Sequence, residues 1–295
     1  MLLFDLSDRV KIRLRGSDRV RFLNGQVTND VRKARPNLSL PACLLNAKGK
    51  LDAFLFISAG PDEFFLDADS ELHDSLPPRL ERYIIADDVA IEDVSREYSL
   101  FHVTGEMRPD LPNDAIWREA KRFGAPGWDL LVLAAEHDRV QSSLTADSSL
   151  CDANCAERLR IEHGIPRWGR ELTDQIIPVE ANLADEAIDY AKGCYIGQEV
   201  ISRMKMSGQL NKRLCGLISV DGAPLAAPMR LVSLADEKDA GWLTSATRSE
   251  RFGEIALAYV KRGFNKPGIQ LQARVETATG PADTIQVKVA DLPFR

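Results

Sequence analysis

After Lys212 and Arg213 the chain breaks into six short apolar runs, Leu214 to Val220, Met229 to Leu234, Gly241 to Ala246, Ile255 to Val260, Ile269 to Val275 and Ile285 to Val289. Ile269, Leu271, Ala273 and Val275 alternate with polar residues, as do Ile285, Val287 and Val289. A period of two suits a strand with one buried face and does not suit a helix. Six such runs in sequence make an all-β pattern, whose strands should each bury one face in a small barrel. At 295 residues the chain exceeds the size at which one core stops growing, so two or three cores share it.

The part before the barrel mixes the two periods. Val10, Ile12 and Leu14 alternate with Lys11, Arg13 and Arg15, the pattern of a half-buried strand. A helix should follow, capped by Ser17, with Val20 and Leu23 on its apolar stripe and Gly25 ending it in the left-handed region. Leu40 to Leu45 and Leu51 to Ile57 form a hairpin across Asn46-Ala47-Lys48-Gly49, whose asparagine and glycine favour a reversal. Further strands are expected at Glu63 to Ala68, Val89 to Val94, Tyr98 to Thr104 and Trp128 to Leu133, with a proline-rich turn around Pro109 to Pro112. Pro77-Pro78 interrupts the helical spacing from Ser70 to Tyr83, so a kink or two short helices are expected there. A helix from about Asp152 to His163 should stop at Gly164 and Pro166. The aperiodic stretch from Arg167 to Tyr190 reads as an ordered functional loop.

Composition narrows the class. A 44% hydrophobic and 28% charged chain is globular rather than disordered. A net charge of -6 argues against a broad nucleic-acid footprint, which needs a basic face. The start of the chain, Met1-Leu2-Leu3-Phe4-Asp5, lacks a basic leader and a long apolar segment. No apolar run reaches the roughly 20 residues a membrane helix needs. The expected location is the cytoplasm. Five cysteines without a CxxC pair fit reduced thiols. Cys151 and Cys155, four apart, read as two small core residues more readily than as a metal pair, and no metal site is expected.

The densest chemistry lies in Lys192-Gly193-Cys194-Tyr195-Ile196-Gly197-Gln198-Glu199. A cation, a thiol, a phenol, an amide and a carboxylate stand around two glycines that admit close backbone approach. Cys194 is either a functional thiol, favoured as thiolate by Lys192, Arg203 and Lys205 if they fold nearby, or a buried structural cysteine beside a turn. From Lys192 to Arg213 the cations Lys192, Arg203, Lys205, Lys212 and Arg213 face one acid, Glu199. That is either an electropositive site for a carboxylate-bearing ligand or a solvated basic turn. Glu180 and Asn182, after Pro178, either line the site or structure their loop. His73, His102 and His137 show no ligand spacing.

The string from Lys192 to Tyr195 followed by Gly197-Gln198-Glu199 resembles the signature of the YgfZ family of folate-binding iron-sulfur maintenance factors. Arg21 to Val31, Leu45 to Lys50 and Leu159 to Pro166 resemble blocks of the wider superfamily of the glycine-cleavage T-protein. Gly241 to Ser245 and Ile255 to Val260 fit as well, so the resemblance spans essentially the whole chain.

That resemblance implies an α+β fold: a three-domain ring with two ferredoxin-like α/β parts, a C-terminal β-barrel and a central folate pocket. Residues 1–85 with 150–205 would form the first domain, 86–149 the second and 206–295 the third. It implies tetrahydrofolate or a derivative as cofactor, and cytoplasmic iron-sulfur assembly or client proteins as partners, including tRNA-modifying radical-SAM enzymes. Mitochondrial relatives serve late cluster assembly. Cys194 would carry the chemistry, and Lys192, Tyr195, Gln198, Glu199, Arg203 and Asn29 would line the folate site. Glu162 matches the glutamate that binds the pterin in T-protein relatives, and Trp168 before Gly169 stands where they have tyrosine. T-proteins place a catalytic aspartate pair where Ala53 and Phe54 stand here. Asp52 is one residue out of register, which on a strand points its carboxylate at the opposite face. The alternative is a folate-dependent aminomethyl or one-carbon transferase of the aminomethyltransferase superfamily. A cluster carrier built from cysteines is the weakest reading.

Overall fold

A computed structural model describes residues 1–109, 116–275 and 284–295, and the expected turn around Pro109 to Pro112 lies largely outside them. The chain forms two compact units. The first comprises Met1–Asp152, Thr173–Pro178 and Leu183–Arg203, the second Ala153–Leu172, Val179–Asn182 and Met204–Arg295.

The first unit contains two five-stranded sheets. Its strands are β1 (Leu2–Asp5), β2 (Val10–Arg15), β3 (Leu40–Leu45), β4 (Leu51–Ala59), β5 (Glu63–Ala68), β6 (Ala90–Asp93), β7 (Tyr98–Thr104), β8 (Trp117–Ala120), β9 (Gly127–Leu133) and β10 (Ser149–Leu150). One sheet has the order β3-β4-β5-β2-β6 and the other β10-β1-β7-β9-β8. The β3–β4 hairpin forms as the Asn46 to Gly49 turn predicts, with Gly49 at φ +72°. Leu51, Ala53, Leu55 and Ile57 are sealed on one face of β4, whereas Asp52 and Phe54 stand half-buried on the other. Each sealed leucine or isoleucine contributes roughly 1.5–3 kcal/mol of burial.

Helix α1 (Arg19–Gln26) corrects the expected capping. Ser17 directs both its amide and its hydroxyl to Asp88, 71 residues away. Gly25 lies inside the helix, outside the left-handed region, and the helix ends at extended Val27. Leu23 faces the core, but Val20 is exposed. Around the two prolines the stretch forms two short helices, as expected: a 3-10 turn over Ser70–Leu72 and α2 (Leu76–Glu81), in whose first turn a missing N–H is harmless. Strands β1, β8 and β10 and helix α3 (His137–Leu144) were not expected. They cover a core of Leu3, Phe101, Val103, Trp117, Leu130, Val140 and Leu144.

The two sheets are bridged by Arg122. Its guanidinium forks onto both oxygens of Asp67 on β5, at 2.9 and 2.7 Å, and onto both oxygens of Asp129 on β9. Arg9 also donates to Asp67 at 2.6 Å, and buried His102 meets Asp129 at 2.8 Å. The Arg122 guanidinium stacks 4.0 Å from the Phe56 ring. These groups pay for their desolvation by pairing.

In the second unit, α4 (Ala153–His163) lies against a closed barrel. Its strands are β11 (Lys212–Ser219), β12 (Met229–Ser233), β13 (Asp239–Ser249), β14 (Gly253–Lys261), β15 (Gln270–Arg274) and β16 (Thr284–Ala290). The order is β11-β14-β13-β12-β15-β16, and β11–β16 pairing completes the closure. The alternation expected of the last two strands holds, with Leu271, Ala273, Val287 and Val289 sealed inside. Arg160 on α4 binds Glu171 at 3.0 Å and the Ser245 hydroxyl at 2.6 Å, fastening the helix to β13. Among the described residues no helix is long and apolar enough to cross a membrane.

Candidate functional site

The signature segment is built against the β3–β4 turn. Gly197, at φ +83°, sits so close that an added Cβ would meet the Asn46 carbonyl oxygen at 2.6 Å. A Cβ on Gly49 would meet the Val200 side chain at 2.7 Å. Both glycines are therefore required by close approach, not by flexibility alone. The Ile196 amide donates to the Gly25 carbonyl, and the Gln198 side chain accepts from the Tyr195 amide at 3.3 Å. Gln198 opens α6 (Gln198–Ser207).

Two signature side chains, Lys192 and Tyr195, point inward. Lys192 is buried, and its ammonium donates to the carbonyls of Asn24, Val27 and Asn29 at 2.8, 2.5 and 2.7 Å. Burial lowers its pKa to about 8, against the attraction of Asp30 and Asp189. The ring of Tyr195 is buried beside that ammonium, 5.2 Å away, and its phenol is pushed above the ordinary range by desolvation. Gly193 and Cys194 are exposed. The buried-cysteine alternative for Cys194 is thereby removed.

The other cysteines differ. Cys43 and Cys215 are buried, and desolvation raises their thiols to about 12 and about 11. Cys151 and Cys155 are disulfide-bonded, which corrects the expectation of five reduced thiols. Cys151 precedes α4 and Cys155 lies in its first turn. Both are half-buried rather than core residues. Among the described residues Cys194 is the one exposed free thiol.

The basic run does not present a bare positive surface. In the first unit Lys192 is enclosed by carbonyls, and Arg203 pairs with Glu199 at 2.6 Å on the exposed side of α6. In the second unit Lys212 pairs with buried Glu180 at 2.9 Å, and Arg213 donates to the Asn182 side chain at 2.8 Å. Asn182 adopts φ +61° and binds the Leu214 carbonyl, while the Glu180 carbonyl receives the Leu214 amide. Glu180 and Asn182 thus structure their loop onto β11.

Asn29, another candidate, is occupied by its surroundings: Nδ2 donates to the Pro41 and Glu186 carbonyls, and Oδ1 accepts from the Asp30 amide. Pro41 and Glu186, with Phe56, Glu119 and Trp128, line a cleft of about 490 Å³ in the first unit. That volume is within the range of small-molecule sites. Glu162 and Trp168 belong to the second unit, both half-buried. The Glu162 carbonyl accepts from the Phe294 amide, and its carboxylate has no hydrogen-bond partner among the described residues. Asp52 is held by Arg79 at 2.5 Å, and Arg79 also reaches Gln26 and the Leu45 carbonyl. The slip of one residue separates Asp52 from Ala53 but puts it on the same face as Phe54.

The network of Asp67, Arg122, Asp129 and His102 was missed by sequence reasoning. Its signal was available in Asp129, the one charge in the apolar run of β9, and in Asp67, which follows Phe64, Phe65 and Leu66 on β5.

Residues 212–294 match the model of the glycine cleavage T-protein C-terminal barrel domain. An aminomethyltransferase of Geobacillus kaustophilus is 26% identical over 99% of this chain and 86% of its own length. The tRNA-modifying protein YgfZ of Sodalis glossinidius is 28% identical over 77% of this chain and 74% of its own. The crystal structure of the glycine cleavage system aminomethyltransferase T from Bartonella henselae superposes with a TM-score of 0.85 at 18% identity, covering 100% of this chain and 86% of that one. The last shows a shared fold, and bears out the expected α+β architecture with its C-terminal barrel.

Proposed function

We propose, on the premise that this chain belongs to the YgfZ family within the glycine-cleavage T-protein superfamily, that it is a cytoplasmic tetrahydrofolate-binding factor that supports assembly or repair of iron-sulfur clusters in client enzymes, tRNA-modifying radical-SAM proteins among them. The observation that carries this reading is the exposed Cys194 thiol, set on a segment anchored through Lys192 to three backbone carbonyls. Lys192 holds the backbone before the sulfur and the Ile196 amide, on the Gly25 carbonyl, holds it after, while the sulfur itself stays in solvent. In this reading residues 1–85 with 150–205, 86–149 and 206–295 are the three domains.

The Glu162 carboxylate, with no partner of its own among the described residues, supplies an acceptor for the donor edge of a pterin. The indole of Trp168 supplies a face for stacking. Tyr195 and Gln198 hold the signature in shape, and the Glu199–Arg203 pair lies at its solvent edge.

Aminomethyl transfer is the second reading, favoured by identity to an aminomethyltransferase along nearly the whole chain. Against it stand Ala53, which brings no carboxylate, and Asp52, whose carboxylate is tied to Arg79. Turnover of an aminomethyl donor by the purified protein with tetrahydrofolate would select that reading.

The test of the first reading is Cys194→Ala in cells lacking the wild-type protein. Activity of cluster-dependent enzymes should fall while the variant accumulates normally. Full activity would remove the thiol from the mechanism.

A further inference from the structure

Between the two sheets of the first unit lies a cavity of about 20 Å³, whose walls include Lys11, Ser39, Ser58, Asp67, Arg118 and Asp129. One water needs roughly 10–15 Å³, so there is room for a single small particle and not for a tetrahedral oxyanion.

The charges around the cavity are unevenly paired. Asp67 is engaged by Arg9 and Arg122, and Asp129 by Arg122, His102 and the Ser39 hydroxyl. The Lys11 ammonium donates to the carbonyls of Ser7 and Arg9. Arg118, only 7% exposed, stands opposite Asp129 in the β8–β9 ladder. Among the described residues it has no carboxylate within ion-pair distance, and its Nε is sealed from solvent without a hydrogen-bond partner. Desolvation holds its pKa below the ordinary value, although Asp129 and Asp67 pull it upward. The Ser58 hydroxyl, on the wall from the other sheet, makes no hydrogen bond to a described residue.

A buried guanidinium without a directly paired carboxylate is costly. A water molecule would satisfy one N–H but leave the charge. We propose that this cavity is a binding site for a small monovalent anion of the size of chloride, held by the Arg118 guanidinium and the Ser58 hydroxyl between the two sheets. Arg9 is shared between Asp67 and Asp69, so Arg9 and Arg122 offset two of the three carboxylates Asp67, Asp69 and Asp129, and Lys11 with Arg118 more than offsets the third, which leaves the cluster positive. The anion adds its bonds to the clamp that Arg122 makes between β5 and β9, so binding stabilises the packing of one sheet on the other.

Crystals of the full chain grown in sodium bromide test the site directly. The expected result is one anomalous difference peak in the cavity, within hydrogen-bond distance of Arg118. Density in the cavity without anomalous signal would mean water alone and would overturn the proposal. In solution the thermal midpoint should rise with chloride and not with gluconate, which is too large to enter, at equal ionic strength. The rise should reach about 2–4 °C at roughly ten times the dissociation constant, and Arg118→Gln should abolish it. Equal midpoints in the two salts would also overturn the proposal. Should Arg118→Gln fail to fold, the bromide map of the wild-type protein decides.

Discussion

The ammonium of Lys192 lies 2.7 Å from the backbone carbonyl oxygen of Asn29, so two residues separated by 163 positions meet through a main-chain atom. The basic residue of the signature is a bracket for the chain around α1, and the thiol two positions later inherits its fixed position from that bracket. Replacing Lys192 by methionine would strand three carbonyls. A loss of about 2–3 kcal/mol is expected, read as a lower urea midpoint with an unchanged slope.

Cys194 should behave oppositely. Being exposed, its replacement by alanine or serine should change stability by less than about 0.5 kcal/mol. In native protein, a thiol reagent followed by peptide mass spectrometry should label Cys194 quickly, with Cys43 and Cys215 labelled only on unfolding. Burial raises both buried thiols and hides their sulfurs, whereas Cys194 meets solvent.

Asp52→Ala removes the carboxylate held by Arg79 and leaves a mostly buried guanidinium with Gln26 and the Leu45 carbonyl. Destabilisation of about 1–2 kcal/mol is expected, with tetrahydrofolate affinity unchanged by titration. A complete loss of affinity in a folded variant would return Asp52 to the folate site.

The carboxyls of Asp67 and Asp129 both titrate below their ordinary value of 3.8; for both, burial opposes the shift and Arg122 overrides it. A depressed carboxylate contributes stability that is present above the unfolded pKa and is lost as pH falls through the folded one. Stability should therefore hold down to about pH 4 on their account and then fall. Asp129→Asn should start less stable and show a shallower decline, measured by urea unfolding across pH.

What could be read from the sequence was local. The Asn46 to Gly49 reversal and the alternation of Leu271 and Ala273 depend on neighbours a few positions away, and both formed as expected. Ser17 looked like a helix cap, but Asp88 took its hydrogen bonds, and no pattern near Ser17 announces a partner 71 residues off. Short strands such as β1 and β8 carry too few residues to show a period. The signature was legible as a string, yet the inward turn of Lys192 was not. A lysine between an alanine and a glycine reads as surface until the carbonyls that enclose it are known.

In the proposed function a reduced folate is held by the Glu162 carboxylate. Isothermal titration of anaerobic tetrahydrofolate into the wild-type chain and into Glu162→Ala tests it most directly. Saturable binding by the wild type, weakened at least about tenfold in the variant, a difference of roughly 1.4 kcal/mol, is the expected result. Absence of saturable binding by the wild-type protein would contradict the account.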